Sequence, residues 1–578
     1  MKRLWIAAFT SSLIIAGCGD SETETETETR APERQEARSA AAAASADSNR
    51  FLANIDSDTA YVYANLERLP EALVEKAWAM NEASAQSNQA IFDALAEDEE
   101  VSAEVRALTE ELTALSTREG WEAAGLHTNP LYAFYGVDLM PFAEFEISDG
   151  AAFGAMLARV EAGIDQPLQR RDIDGVEVIW IELAEGLGFA MQHDDDSVTA
   201  AVIPDDATML ARVAGNYEPT DVMGVDALAS FNREIGLSSY GSGFVDWQRM
   251  VDALLTGESA LVTLMHEPEQ QEALASVVDN PACVAEYQAV TQAMPRMVFG
   301  YTRMTENNAD FLLRQETSSE IGAGLAPIAQ APVSVDRDLS GLFNFGLAID
   351  IVAAREFARG LVAGWVENPP QCPSFADIAE QAPQMQEGLN RPIPPVVTNI
   401  HGLFVEAETL DLGENGTPTG GGTLSFFMRN PQLLVGMAQM FSPAVAELQL
   451  EPGGQPQPVP EGAIPQLQQL GLEAWLALGE NAIGMAVGEE NVDALTRAIE
   501  ATSADDLLFS GRFDFQMLLE IADMAESALG DMQGEEAAMG LAAQRAQYEA
   551  LAEVYDQASF KIRFGEKGID FVAESTLK

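Results

Sequence analysis

The chain has 578 residues, 47% of them hydrophobic, with 92 acidic against 31 basic side chains and a formal net charge of −61. Such a surface repels a phosphate backbone and excludes nucleic acid as a partner, while the hydrophobic content excludes a wholly disordered chain. The length exceeds one ordinary domain and predicts two or more. Lysine is confined to Lys2, Lys76, Lys561, Lys567 and Lys578. Acid-rich, lysine-poor composition reads either as adaptation to salt or as an acidic binding surface, and composition leaves both open.

The N-terminus reads as an export signal: Lys2 and Arg3 precede an apolar run that ends in small residues. That run is shorter than the ~20 residues a spanning helix needs. Its end, Ile15-Ala16-Gly17-Cys18, resembles the lipobox of bacterial lipoproteins. The resemblance implies removal of residues 1–17 as a signal peptide, acylation of the Cys18 thiol (palmitate or a similar chain) and of the new amino terminus, and anchorage to the cell envelope. Gly19 after the cysteine, with Asp20 one further, implies the outer membrane. An ordinary cleaved signal with a chance cysteine is the alternative. Residues 18–50 follow as a tether: Ser21–Asn49 contains no large apolar residue and is expected to be disordered.

The body reads as a first lobe over 51–335 and a second over 336–578. Ser242-Gly243-Phe244-Val245-Asp246-Trp247-Gln248 is repeated as Ser510-Gly511-Arg512-Phe513-Asp514-Phe515-Gln516. Looser copies begin at Phe343, with Gly346 and Asp350, and at Tyr61. Each predicts a strand, then a helix whose exposed N–H groups the Asp caps. Phe145–Gly150 and Phe426–Pro431 form a second pair of copies, and Val198–Ile203 and Ala482–Val487 a third. Constant order predicts duplication. Hairpins with turns at Glu306-Asn307-Asn308 and Glu566-Lys567-Gly568 are expected to close the two lobes. The fold class is therefore α+β: two tandem, internally duplicated lobes of antiparallel sheet packed with helices. Gly322–Pro332 reads as the linker; the tracts 413–422 and 451–461 read as loops.

Asp56-Ser57-Asp58-Thr59-Ala60-Tyr61, the segment Tyr135–Pro141 and the strand–acidic–helix modules together resemble a family of uncharacterised bacterial envelope proteins with a repeated domain of unknown function. The resemblance implies a fold and a location, and no activity.

A search for chemistry finds no catalytic residue, metal site or cofactor motif. His127, His193, His266 and His401 stand apart, without the i, i+4 spacing of a metal helix. His193-Asp194-Asp195-Asp196 offers hard oxygens for Ca²⁺ but lies between two strands and reads as a turn. Helical methionines, Met156, Met437, Met440 and Met517, read as core. With Cys18 on lipid, Cys283 and Cys372 remain as an even pair in an oxidising compartment. They follow Asp279-Asn280-Pro281 and Glu367-Asn368-Pro369, similar places in neighbouring modules, so a disulfide joining the halves is expected. These readings converge on a lipoprotein with a non-enzymatic binding or structural role in the cell envelope, attached through its anchor and meeting an envelope protein or lipid. An envelope hydrolase using acidic residues, or a lipid or protein carrier, is the alternative.

Self-repulsion among so many acids destabilises the compact state when ionic strength is low. The melting temperature is expected to rise markedly from low to high NaCl. A flat profile in differential scanning calorimetry would show that the charges are spaced too widely to matter.

Overall fold

The computed structural model describes residues 49–82, 111–163, 168–217, 219–257, 259–263, 268–330, 341–412, 418–441, 448–460, 463, 464, 467, 472–500, 506–529 and 535–578. The signal peptide, Cys18, the tether as far as Ser48, His266, the end of the expected linker and residues 413–417 lie outside them. Among the described residues, no helix is long and apolar enough to cross a membrane.

Strands and helices mix along the chain, and every described ladder with a register is antiparallel. The protein is α+β. It divides into two compact units, one comprising Met1–Thr291, Pro295–Leu313 and Ser575–Lys578, the other Gln292–Met294 and Arg314–Glu574.

The first unit contains β1 (Tyr61–Ala64), β2 (Tyr132–Val137), β3 (Met140–Glu146), β4 (Gln169–Ile173), β5 (Val176–Ala184), β6 (Leu187–His193), β7 (Ser197–Pro204), β8 (Ser242–Asp246) and β9 (Arg296–Thr305). Their spatial order is β4-β5-β6-β7-β3-β2-β1-β8-β9. Successive side chains point to opposite faces, and each face carries a core. On the inner face Val62, Tyr135, Phe142 and Phe244 pack with Phe51, Leu52 and Ile55, and with Leu210, Val213 and Leu228 from the helices Ala207–Val213 and Gly224–Ile235. On the other face Phe145, Val198 and Met191 pack against Phe153, Met156, Leu157 and Val160 of the helix Gly150–Ala162. The ordered body begins ahead of Phe51, because Asn49 is fully buried. Its side chain accepts from Phe51 N–H and donates to the carbonyls of Asn65 and Tyr132 at 2.8 Å each.

A further strand, β10 (Asn308–Glu316), follows β9 after the turn at Glu306-Asn307. The second unit then has β11 (Phe343–Ala348), β12 (Ile400–Leu412), β13 (Pro418–Met428), β14 (Gln457–Pro458), β15 (Ala474–Leu478), β16 (Ala482–Val487), β17 (Leu507–Asp514), β18 (Tyr555–Gly565) and, as far as Glu574, β19 (Gly568–Leu577). The order is β14-β15-β16-β13-β12-β11-β17-β18. Leu495 and Ile499, in and just after the helix Val492–Ala498, pack with Phe404, Phe427, Ala477 and Ala486 on its inner face.

Several sequence readings change, Asn49 among them; residues 418–422 and 457–458, read as loops, lie in β13 and β14. Residues expected to form a linker instead make the helix Ser319–Leu325 and a 3-10 turn Ala326–Ala329, with Gly322, Leu325, Ile328 and Ala329 buried. A methyl at Gly322 would come within 2.2 Å of the Glu566 carbonyl oxygen, so the small residues serve close packing and not flexibility. Of the methionines read as core, Met156 is buried at 3%, whereas Met437 is 38% and Met440 81% exposed.

Candidate functional site

The polar residues that the sequence repeats are occupied with local structure. Asp246 accepts from Arg249 N–H at 2.9 Å, Asp514 from Gln516 N–H at 2.7 Å, and Asp350 from the N–H groups of Val352 and Ala353 at 2.9 Å each. All three cap helices, as the pattern requires. The glycine beside them is equally local. A methyl at Gly243 would lie 2.0 Å from the Val62 carbonyl oxygen, and one at Gly511 would lie 2.6 Å from the Phe560 ring.

The His193 cluster is a β6–β7 turn. Asp194 accepts from the N–H groups of Asp196 and Ser197 at 3.0 and 2.7 Å and from the Ser197 hydroxyl at 3.0 Å. Asp196 pairs with Arg50 at 2.7 Å, and the His193 ring meets the Phe153 ring at 5.3 Å between centroids. Among the described residues no group of three or more His, Cys, Asp or Glu is placed to hold a metal ion. His401 is 5% exposed and receives a 3.0 Å hydrogen bond from Arg429; burial, then the Arg429 charge, hold its pKa below the usual value. Cys283 and Cys372 are 0% and 1% exposed.

The group of residues that sequence reading missed emerges only from strand register. Across the second unit the directly opposed residues run Trp475 (β15), Ala486 (β16), Thr423 (β13), Glu406 (β12), Asn344 (β11), Arg512 (β17) and Ser559 (β18). Directly opposed residues of an antiparallel ladder share a face, so these side chains line one face, the inner one. Thr423, Glu406 and Asn344 are each 3% exposed, and Ser425, two residues along β13 on the same face, is 0% exposed. Asn344 Nδ2 and Ser425 Oγ have no hydrogen-bond partner among the described residues, whereas Glu406 shares side-chain hydrogen bonds with Thr423 and Glu408.

The row in the same place in the first unit is Ala201 (β7), Phe142 (β3), Tyr135 (β2), Val62 (β1), Phe244 (β8) and Val298 (β9). All six belong to its main core. The first unit does bury a carboxylate on this face, Glu144 at 4% exposure, but supplies it with two donors: Tyr135 Oη at 2.5 Å and Asn54 Nδ2 at 2.7 Å. Burial nonetheless pushes the Glu144 pKa above the usual carboxylate value, against the pull of those donors.

Glu406 has a harsher setting. Burial first, then the charge of Glu408, push its pKa up to about 7, against the opposing charge of Arg497. A buried acid that keeps its proton near neutrality can donate a hydrogen bond below pH 7 and accept one above it. Comparison with family models, curated proteins and solved structures finds no match to this chain, so the site rests on its own geometry.

The native state holds the Glu406 proton at pH values where the unfolded chain has lost it. Its contribution to stability is therefore complete below the ordinary carboxylate pKa of 4.5 and lost as pH rises through about 7. Between about pH 4 and about pH 8 the wild type is expected to lose up to about 3 kcal/mol relative to Glu406→Gln. Urea unfolding of both proteins across that range checks this; parallel pH profiles would show that Glu406 titrates normally.

Proposed function

We propose that this is a lipid-anchored protein of the cell envelope, acylated at Cys18, with a non-enzymatic binding role exercised by two copies of one α+β unit. Duplication is supported by strand order. Reading β16-β13-β12-β11-β17-β18 against β7-β3-β2-β1-β8-β9 matches each strand by position in chain and sheet. The register pairs Phe145 with Phe426, as the sequence does, but sets Ala201 against Ala486, one residue from the sequence pairing.

The observation that carries binding over catalysis is what the two units have in common once caps and turns are subtracted. Each presents an aromatic row on the sheet face opposite the inner core. In the first, Phe134, Tyr63, Gly243 and Phe299 are directly opposed in turn, with the Tyr63 and Phe299 rings stacked at 5.7 Å across the glycine. In the second, Val405, Phe345, Gly511 and Phe560 stand in the same places, and Phe509 bridges Phe345 and Phe560 at 5.5 and 5.3 Å. These rings are only partly buried. A repeated, half-open aromatic face suits an apolar partner, an envelope protein or lipid, and so includes the carrier reading. A bridge between Cys283 and Cys372 belongs to the same proposal and is supported by each of them being disulfide-bonded. An envelope hydrolase is the second reading, and Glu406 is the acid in its favour.

Cys18→Ser is expected to abolish labelling by radioactive palmitate and to leave the signal uncleaved, read from the mass of the N-terminal peptide. Undiminished palmitate labelling would refute the anchor.

A further inference from the structure

We infer that the helix Pro431–Phe441 of the second unit docks on the surface of a lipid bilayer, with Leu433, Met437 and Met440 among the acyl chains and Arg429 at the level of the headgroup phosphates. This goes beyond the anchor at Cys18: the helix is a separate membrane contact, and neither contact requires the other.

The sequence sets this helix apart. In a chain with a net charge of −61, no charged residue occurs between Arg429 and Glu447. Among the described helices of eight residues or more, Pro431–Phe441 alone has no charged side chain. Gln432 and Gln439 are its only strongly polar residues. Apolar side chains occupy both the side of Val435 and the side opposite it, where Leu433, Met437 and Met440 fall. A helix apolar on both sides belongs in a core or in lipid.

The fold takes only one of those sides. Val435 is 7% exposed, whereas Leu433 is 42%, Met437 38% and Met440 81% exposed. Residues at i, i+4 and i+7 share one face of a helix, so the three form a continuous stripe, and Gly436 beside them is also exposed. Phe426, on β13 just ahead of the helix, is 37% exposed. The first unit closes the same place. Phe145, which the register matches to Phe426, is 3% exposed, and the helix Gly150–Ala162 buries Phe153 and Met156 at 0% and 3%. That helix turns alanines and Arg159 to water; its counterpart in the second unit turns a leucine and two methionines.

Three observations select lipid as the occupant. Met440 at 81% exposure stands clear of its surroundings, as suits a side chain entering a fluid phase more than one fitted to a shaped pocket. Arg429, four residues before Leu433, donates to His401 at 3.0 Å and lies 4.0 Å from Asp350, yet its side chain stays 60% exposed; its guanidinium complements a phosphate at the edge of the apolar stripe. A second copy would bring another charge of −61 against the first and be repelled, whereas a zwitterionic bilayer brings no net charge. Eleven residues make a helix about 16 Å long, too short to cross a bilayer, so it lies along the surface.

The test reconstitutes the full chain, as purified, in phosphatidylcholine vesicles that contain a phosphatidylcholine with a photoactivatable acyl chain. Cross-linked peptides are then mapped by mass spectrometry. Wild type is expected to carry label within residues 431–441. The triple change Leu433→Gln, Met437→Gln, Met440→Gln is expected to lower that label about tenfold and to leave the melting temperature unchanged, because the side chains already face solvent. Absence of label from this helix in wild type would overturn the inference, as would undiminished label in the triple variant. A marked fall in the variant's melting temperature would overturn it too, since the stripe would then be packing. So would a lipid-free dimer, seen by sedimentation, that the triple change dissociates, since the stripe would then meet a second copy. Palmitate labelling reports on Cys18 separately, so failure of the anchor and failure of the helix contact are told apart.

Discussion

A polar group buried on a sheet face has to find its partner on that face, because the pleat sends neighbouring residues to the other side. Register thus decides what each inner face can be. In the first unit the opposed positions are apolar, the one buried carboxylate has two donors, and the face closes as a core. In the second unit the same positions hold Thr423, Glu406 and Asn344; Thr423 and Glu406 share a side-chain hydrogen bond, and Asn344 Nδ2 has no partner among the described residues.

The energetic difference between the two faces is large on the scale of one residue. Burying a Phe or Val side chain contributes about 1.5–3 kcal/mol, whereas leaving a buried donor or acceptor unmatched costs about 1–3 kcal/mol. The second unit carries this polar row and the first an apolar one, while both units present aromatic residues on the other face of the sheet.

Much of the scaffold was legible in the sequence. Capping aspartates announce themselves by type and position, since a carboxylate before an apolar helical pattern has a local task, and Asp246, Asp350 and Asp514 perform it. The His193 turn and the strands around Glu306 and Glu566 were readable for the same reason: every interaction involved is within a few residues. Composition misled where small residues had two uses. Gly322, Ile328 and Ala329 look like linker, yet they are buried. Met440 has helical core spacing but stands exposed. Asn49 was read as tether because its partners, Asn65 and Tyr132, lie far along the chain. The polar row was invisible for a stronger version of this reason. Asn344, Glu406, Thr423 and Arg512 come from four strands and share no spacing, and only the ladder places them side by side.

The protonation of Glu406 connects these points, because a carboxyl with free access to water would ionise at its ordinary pKa. Infrared difference titration, wild type minus Glu406→Gln, reads that one group directly through its protonated carboxyl band. The account predicts that this band disappears with a midpoint near pH 7. A midpoint at the ordinary value of 4.5 would contradict it and return the inner face of the second unit to the status of a solvated surface.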